Sequence, residues 1–261
     1  MRAALLAGLL VCSAISQGQE SEESLAANPG RPTVSTPATL TPVGYFQFET
    51  GAVGATHSPE FSSRTSVNEV VKFSVSPRFE FIAASEPFVH YRADNQTANG
   101  TAEVFLGLQG VVHHGEGASP TIAVSYIRRI YDGGAPEFDI GSSRNSCLLL
   151  ASADVKGFHY DGNAMFNEVI QGATHRAQFG QSLTISHPLN KKVGLSGELW
   201  HFSQPFVQGN AIGSLWAVSY TVRPTLVFDT GFNRGLTGTS TRWEAFAGFT
   251  YLLPHGLRLL R

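Results

Sequence analysis

The sequence predicts an all-β fold, a transmembrane antiparallel β-barrel of about 12 strands in a single domain. Three observations predict it. Apolar and polar residues alternate with a period of two along most of the chain after residue 44, which places every second side chain on the same strand face. The connections between these runs are alternately long and short. Residues 1–16 have the pattern of a secretory signal peptide.

The composition favours strands and turns over helical bundles. The 261 residues are 42% hydrophobic and 15% charged, with 27 Gly and 18 Phe, a mixture that suits sheets. The net charge of -2 and the lack of a dense Lys/Arg cluster argue against nucleic acid as a partner. Cys12 lies in the leader and Cys147 in a mature strand, so the mature protein is expected to have no internal disulfide.

The leader contains Arg2, an apolar stretch over 3–14 and the small-x-small site Ala14-Ile15-Ser16. This stretch is too short to span a bilayer, and no later run has about 18 uninterrupted apolar residues. An uncleaved anchor and a lipoprotein linkage at Cys12 are the alternatives, and the bulky Val11 disfavours the second. Residues 17–43, which are acidic and contain several prolines, are expected to form an extended or disordered arm before a barrel at 44–261.

Alternation is clearest at 177–186, where Ala177, Phe179, Leu183 and Ile185 share one strand face. Weaker runs complete the set, with boundaries placed to within about two to four residues. The twelve predicted strands are 44–54, 65–75, 78–87, 100–111, 120–130, 144–153, 158–169, 177–186, 192–202, 210–221, 225–233 and 242–253.

The connections separate a membrane barrel from a soluble sandwich or lipocalin, which would show the same alternation. Odd-numbered connections, such as 53–64 and 131–143, are generally longer than even-numbered ones, such as 76–77. An outer-membrane barrel with periplasmic termini has short periplasmic turns and long outer loops. Aromatic residues near strand ends, Trp200 and Trp243 among them, suggest interface girdles, with ordinary core aromatics as the alternative.

Three stretches resemble the outer-membrane proteins of the phenol-degradation meta-pathway family, a broad family of transporter-like barrels. They are RPTVSTPATLTPVGYFQFETG at 31–51, VSPRFEFIAASEPF at 75–88, and FDTGFNRGLTG with WEAFAGFTYLL between Phe228 and Leu253. The resemblance implies an outer-membrane location and passage of small molecules, with aromatic or hydrophobic compounds as candidates. The chain departs from many such barrels, which end with an aromatic residue in the final strand, because residues 254–261 follow the last strand.

If the apolar strand faces contact lipid, the opposite faces line the lumen. This prediction places seven carboxylates and three Lys or Arg side chains inside, together with one histidine. A lumen with this balance would favour cations or polar neutral solutes, whereas the alternative is a network of paired charges that fills the barrel. The predicted lumen residues are Glu49, Lys72, Glu80, Glu103, Arg129, His159, Asp161, Glu198, Asp229, Arg242 and Glu244.

No catalytic, metal or cofactor motif stands out, so neither an enzyme nor a cofactor is expected. His113-His114 beside Glu116 suits a solvated turn better than a metal site, and His159 with Asp161 suits a pore lining as well as an acid-base pair. The expected partners are outer-membrane lipid, lipopolysaccharide, the barrel-assembly machinery and a small solute. An outer-membrane enzyme acting on lipid and a secreted soluble β-protein are the alternative functions.

Overall fold

The computed structural model describes residues 25–136, 143–207 and 209–253. The predicted signal peptide and the tail at 254–261 therefore lie outside the described residues. In the described part, no helix is long and apolar enough to cross a membrane.

The described residues form thirteen strands. Their bounds are β1 (Phe46–Thr56), β2 (Ser63–Ser76), β3 (Phe79–Ala93), β4 (Gln96–Gly100), β5 (Val104–His113), β6 (Thr121–Tyr131), β7 (Ser143–Val155), β8 (Phe158–Gln171), β9 (Thr174–Pro188), β10 (Val193–Gln204), β11 (Gly209–Arg223), β12 (Leu226–Gly235) and β13 (Trp243–Leu252).

Twelve of these strands form a closed ring. Neighbours along the chain pair antiparallel, β3 pairs with β5, and β1 pairs with both β2 and β13. The remaining strand, β4, pairs with β3 only. The predicted twelve-stranded antiparallel barrel is confirmed. We call the end where β1 begins and β13 ends the near end, and the opposite end the far end.

The two faces of each strand differ as the alternation predicts. In β9 the inward side chains of Gln178, Ser182 and Thr184 are buried, whereas the outward Phe179 is 59% exposed. Large apolar side chains are exposed on the outer face of almost every strand. In a closed barrel this arrangement fits a lipid-facing belt, and it argues against the soluble alternative.

Some interior positions are apolar, which the sequence did not indicate. Trp200, expected in an interface girdle, is only 3% exposed. It packs in a cluster of buried residues with Leu150, Met165 and Phe202. Trp200 points inward because it lies two residues from the inward Glu198 in β10. Gly213 stands opposite it, and the missing side chain there leaves room for the indole ring. Phe246, which broke the predicted alternation of the last strand, likewise points inward and is buried.

Two connections differ from the prediction. The expected loop at 87–99 is largely ordered, because β3 continues to Ala93 and turns back through Asp94 and Asn95 into β4. Both turn residues have positive φ, 46° and 63°, a conformation that Asp and Asn tolerate better than most residues. The expected connection at 170–176 is only a two-residue turn at 172–173, since β8 and β9 are longer than predicted.

The segment before β1 lies inside the barrel. We call residues 27–44 the arm. The arm begins beside the β11–β12 turn at the near end, where the amide of Ala27 donates to the carbonyl of Pro224. It then follows the inner wall, contacting in turn the inward faces of β1, β12, β10, β8, β7, β5, β3 and β2. Its last step back to the wall is a hydrogen bond from the Gly44 amide to the carbonyl of Ser74.

Candidate functional site: the occluded lumen

The arm is held mainly by hydrogen bonds from its backbone to side chains of the barrel wall. An extended segment without a partner strand must satisfy its amides elsewhere when it is buried. Eight arm amides do so on inward side chains, at N···O distances from 2.6 to 3.1 Å. The donors are the amides of Asn28, Gly30, Arg31, Val34, Ser35, Thr36, Ala38 and Thr41. Pro29, Pro32 and Pro37 have no amide to satisfy.

Three predicted lumen glutamates act as acceptors for the arm. Glu49 accepts from the amides of Gly30 and Arg31, both at 3.1 Å. Glu198 accepts from two further arm amides, at 2.8 and 2.6 Å. Glu80 accepts from the Thr41 amide at 2.8 Å. A carboxylate is a strong acceptor for such amides, so these acidic groups bind the arm instead of facing an open pore.

Side-chain amides of the wall also bind the arm, because they donate hydrogen bonds to its backbone carbonyls. The Gln47 amide nitrogen lies 2.7 Å from the Asn28 oxygen, and the Asn163 amide nitrogen lies 2.9 Å from the Thr36 oxygen. Gln109 donates to the Pro37 carbonyl at 3.0 Å. The wall therefore contacts both donors and acceptors of the arm backbone.

Arg31 anchors the arm through its side chain. Its Nε and Nη2 atoms lie 3.3 and 3.2 Å from the two carboxylate oxygens of Asp229. Gly51 and Gly248 stand opposite each other in β1 and β13, and a Cβ on them would come within 2.3 and 2.7 Å of the guanidinium. The two glycines thus form a recess for Arg31, a contact that the sequence did not reveal.

The near-end charges are paired within the wall or with the arm. Lys72 lies 2.7 Å from Glu49. His159 contacts Asp154 at 2.9 Å and Asp161 at 3.2 Å. The Ser152 hydroxyl donates to Asp161 at 2.5 Å, not to His159, so these residues do not form a serine-histidine nucleophile pair.

The far half of the barrel contains further pairs. Arg129 donates to Glu103 at 2.8 Å, and Glu244 accepts from Asn233 at 2.9 Å. Arg64, only 2% exposed, forms a bidentate ion pair with Glu86. The sequence prediction omitted Arg64 and Glu86, although Arg64 shares the inward parity of Lys72 in β2.

Glu103 lies just before the start of β5, and a second predicted lumen residue, Arg242, also lies outside the strands. It sits in the connection before β13, and its side chain is exposed. Its parity matches that of Glu244, but β13 begins only at Trp243, so the strand geometry that would direct it inward is missing. Nine of the predicted residues thus lie on inward strand positions, and Glu103 contacts Arg129 from just before β5.

A cavity of about 350 Å³ lies on the far side of the arm. We call it the lumen chamber. The arm residues 30–36 form its floor, and its walls are mainly apolar. The wall residues include Val53, Val70, Ile82, Ala84, Ile127, Leu148, Leu215 and Phe246 as apolar members, and Glu49, Asn68, Lys72, Ser125, Asn233 and Glu244 as polar ones.

The adjacent residues Ser186 and His187, at the end of β9, contact different groups. Ser186 contacts Ser196 at 2.9 Å, whereas His187 contacts the carbonyl of Gly157. Among the described residues, no group of three His, Cys, Asp or Glu side chains is arranged to hold a metal ion.

Solved structures show what the fold resembles. An outer membrane channel from Pseudomonas putida F1 is similar with a TM-score of 0.60 at 12% sequence identity, covering 87% of this chain and 99% of that one. The NanC porin is similar with a TM-score of 0.56 at 9% identity, covering 80% of this chain and 100% of that one. No protein-family model matches the sequence, and no curated protein is similar to it in sequence.

These similarities agree with the geometry of the barrel itself. The ring of twelve strands is closed, its outer face is apolar, and both structural neighbours named above are outer-membrane barrels. At this sequence identity the likeness concerns the fold, and membership of the phenol-degradation meta-pathway family stays a prediction. The chain is a β-barrel protein of the bacterial outer membrane.

Proposed function

We propose that the protein is an outer-membrane channel for small molecules and that its arm closes the near, periplasmic half of the lumen. The observation that carries this proposal is the arm itself, which follows the inner wall and is held by hydrogen bonds and one ion pair to side chains. It adds no strand to the barrel, so it can leave without breaking the ring. The structural neighbours described as a channel and a porin support the proposal.

Small apolar or aromatic molecules are the solutes that we propose for this channel. The apolar interior supports this choice, because Trp200, Phe202 and Met165 would not favour passage of hydrated ions. Most acidic lumen residues accept hydrogen bonds from the arm or pair with Arg, Lys or His side chains. We therefore expect only a weak cation preference while the arm is in place, and a clear anion preference in planar bilayers would contradict it.

A disulfide that locks the arm tests the proposal. The Ser35 and Ser182 hydroxyl oxygens are 2.8 Å apart, close enough for a Ser35→Cys/Ser182→Cys pair to form a bond between arm and wall. Cys147 is exposed and is first replaced by Ser. We expect low conductance in planar bilayers when the pair is oxidised and higher conductance after reduction.

The control is Ser186→Cys/Ser196→Cys in the same background. These hydroxyls are 2.9 Å apart, but they join two wall strands, β9 and β10, and leave the arm free. Oxidation of this pair should not change the conductance. Equal conductance of the oxidised and reduced arm-locked protein would contradict the proposal.

A further inference from the structure

The lumen chamber has the size and lining of a binding site for a small organic molecule. Its volume of about 350 Å³ lies at the lower end of the range for ligand pockets, roughly 300–1,000 Å³. Apolar side chains from seven strands line it, and its floor is the arm. Such a chamber excludes large solutes and favours compact, mainly apolar ones.

Two neighbouring buried polar atoms, one of which lines this chamber, have no hydrogen-bond partner among the described residues. The Ser125 hydroxyl lines the chamber and Ser125 is 1% exposed. Gln109, also 1% exposed, stands directly opposite Ser125 in the neighbouring strand β5, and its Oε1 atom is unpartnered. A buried polar group without a partner is destabilising, so this pair points to a molecule that supplies the missing contacts.

The other polar groups of the chamber already have partners. Lys72 pairs with Glu49. Asn233 accepts from the Trp200 indole nitrogen and donates to Glu244, both at 2.9 Å. A charged ligand would find no free counter-charge among these groups, and burying it would be costly. The unfilled positions instead match one neutral group that can both donate, to Gln109, and accept, from Ser125.

We infer that the lumen chamber binds a small, neutral, mainly apolar molecule bearing a hydroxyl group. The hydroxyl bridges Ser125 and Gln109, and the apolar body lies against Val53, Ile82 and Phe246. This inference rests on the proposed channel function and adds the substrate class and the residues that select it. The arm, as the floor of the chamber, separates the bound molecule from the near end.

Binding of 4-fluorobenzyl alcohol to the full-length protein in lipid nanodiscs, followed by fluorine NMR, tests the inference. Ala84→Phe fills the chamber and should abolish the protein-dependent broadening of the probe signal. The matched control is Ala83→Phe, which adds the same ring to the outer face of the same strand. Ser125→Ala should weaken binding about fivefold, the usual effect of one neutral hydrogen bond.

Two controls address the probe and the fold. 4-Fluorotoluene lacks the hydroxyl, so its binding should not respond to Ser125→Ala, and 4-fluorobenzoate should bind more weakly because it is charged. The shift in gel mobility between unheated and boiled samples verifies that each variant forms the barrel. Equal binding of the alcohol to wild-type protein, Ala84→Phe and Ser125→Ala would overturn the inference.

Conductance measurements on the same variants distinguish a failure of the chamber assignment from a failure of the channel proposal. A protein that binds the alcohol but shows no conductance with the arm free would overturn the channel and leave the chamber assignment standing. A protein that conducts but does not distinguish Ala84→Phe from Ala83→Phe in binding would overturn the chamber assignment alone.

Discussion

At the scale of single residues, two glycines of the wall help to hold the arm because they leave space for one of its side chains. Gly51 and Gly248 face the lumen in adjacent strands, and the guanidinium of Arg31 lies in the space that they leave. The bidentate contact with Asp229 then fixes its orientation. The recess and the ion pair together explain why the arm enters the barrel at this position.

Gly51→Ala should displace Arg31 and loosen the arm. The added Cβ would lie 2.3 Å from Nη2 of Arg31 and 2.8 Å from the carbonyl of Ala247. We expect amide hydrogen exchange over residues 30–36 to rise about tenfold, in line with loss of a charged hydrogen bond. Gly54→Ala is the control, because a Cβ there meets nothing within 4 Å.

Combining Gly51→Ala with a substitution of Arg31 distinguishes displacement of Arg31 from general damage to the sheet. In an Arg31→Ala background, Gly51→Ala should raise exchange much less, since the group that it displaces is already gone. Equal effects of Gly51→Ala with and without Arg31 would show that the recess has no role in holding the arm.

Glu198→Gln should release the middle of the arm. The carboxylate lies 2.8 Å from the Val34 amide and 2.6 Å from both the amide and the hydroxyl of Ser35. A neutral amide accepts more weakly and has one acceptor atom instead of two. Exchange over residues 33–36 should rise about tenfold, while Glu116→Gln, in an exposed turn, should leave it unchanged.

Sequence alternation could place the lumen carboxylates but not their partners. Parity along a strand directs Glu49, Glu80 and Glu198 inward whatever they contact. Their partners belong to an arm that is separated from Glu198 by about 160 positions in the chain, and no local pattern encodes such a contact. For the same reason the pairing of Arg31 with Asp229 could not be predicted.

At the scale of elements, the β3–β4 hairpin shows how a turn signal extends a strand beyond its hydrophobic pattern. Asp94 and Asn95 both have positive φ, as type I′ hairpin turns require. The prediction ended the strand at Pro87, where alternation stops. Pro87 instead lies at an irregularity in the β2–β3 register, a position where a missing amide is tolerated, and the Asp-Asn pair could have indicated the hairpin beyond it.

Substitution at Asn95 tests the turn. Asn95→Gly should preserve the hairpin, because glycine adopts positive φ without a steric cost. Asn95→Val should destabilise it by about 1–2 kcal/mol. Hydrogen exchange of residues 96–100 measures the difference, and identical exchange in the two variants would contradict the assigned turn.

At the scale of the whole molecule, the apolar belt places the barrel in lipid. Leu199 is 61% exposed on the outer face of β10, and Leu236, in the far-end connection after β12, is 58% exposed. The two leucines are thus matched in exposure but differ in depth along the barrel. Depth decides the cost of a charge that faces lipid.

Leu199→Arg should therefore destabilise the inserted barrel by about 2–4 kcal/mol, and Leu236→Arg by about 0–1 kcal/mol. Urea unfolding in lipid vesicles, followed by the gel-mobility shift, measures both. A soluble protein would show no such difference between the two positions. Equal destabilisation by the two substitutions would contradict a lipid-facing belt centred near Leu199.

The ring of strands could be predicted almost entirely from the sequence, whereas the occupied lumen could not. Alternation and the order of the connections identify strands and the pairing of strands that follow each other in the chain, and such pairs make up most of the ring. The arm has neither periodicity nor a partner strand, so its proline-containing and polar composition resembles that of a disordered segment. Its order arises only from the wall that surrounds it.

The wall side chains recognise the backbone of the arm far more than its side chains. Outside Arg31, Ser35 and Thr41, the recorded polar contacts of residues 29–41 with the wall use amides and carbonyls, which every residue except proline provides in full. The sequence of this stretch can therefore change widely while its fit to the barrel persists. By the same logic, a separate peptide with amides at matching spacing would compete with the arm for the interior.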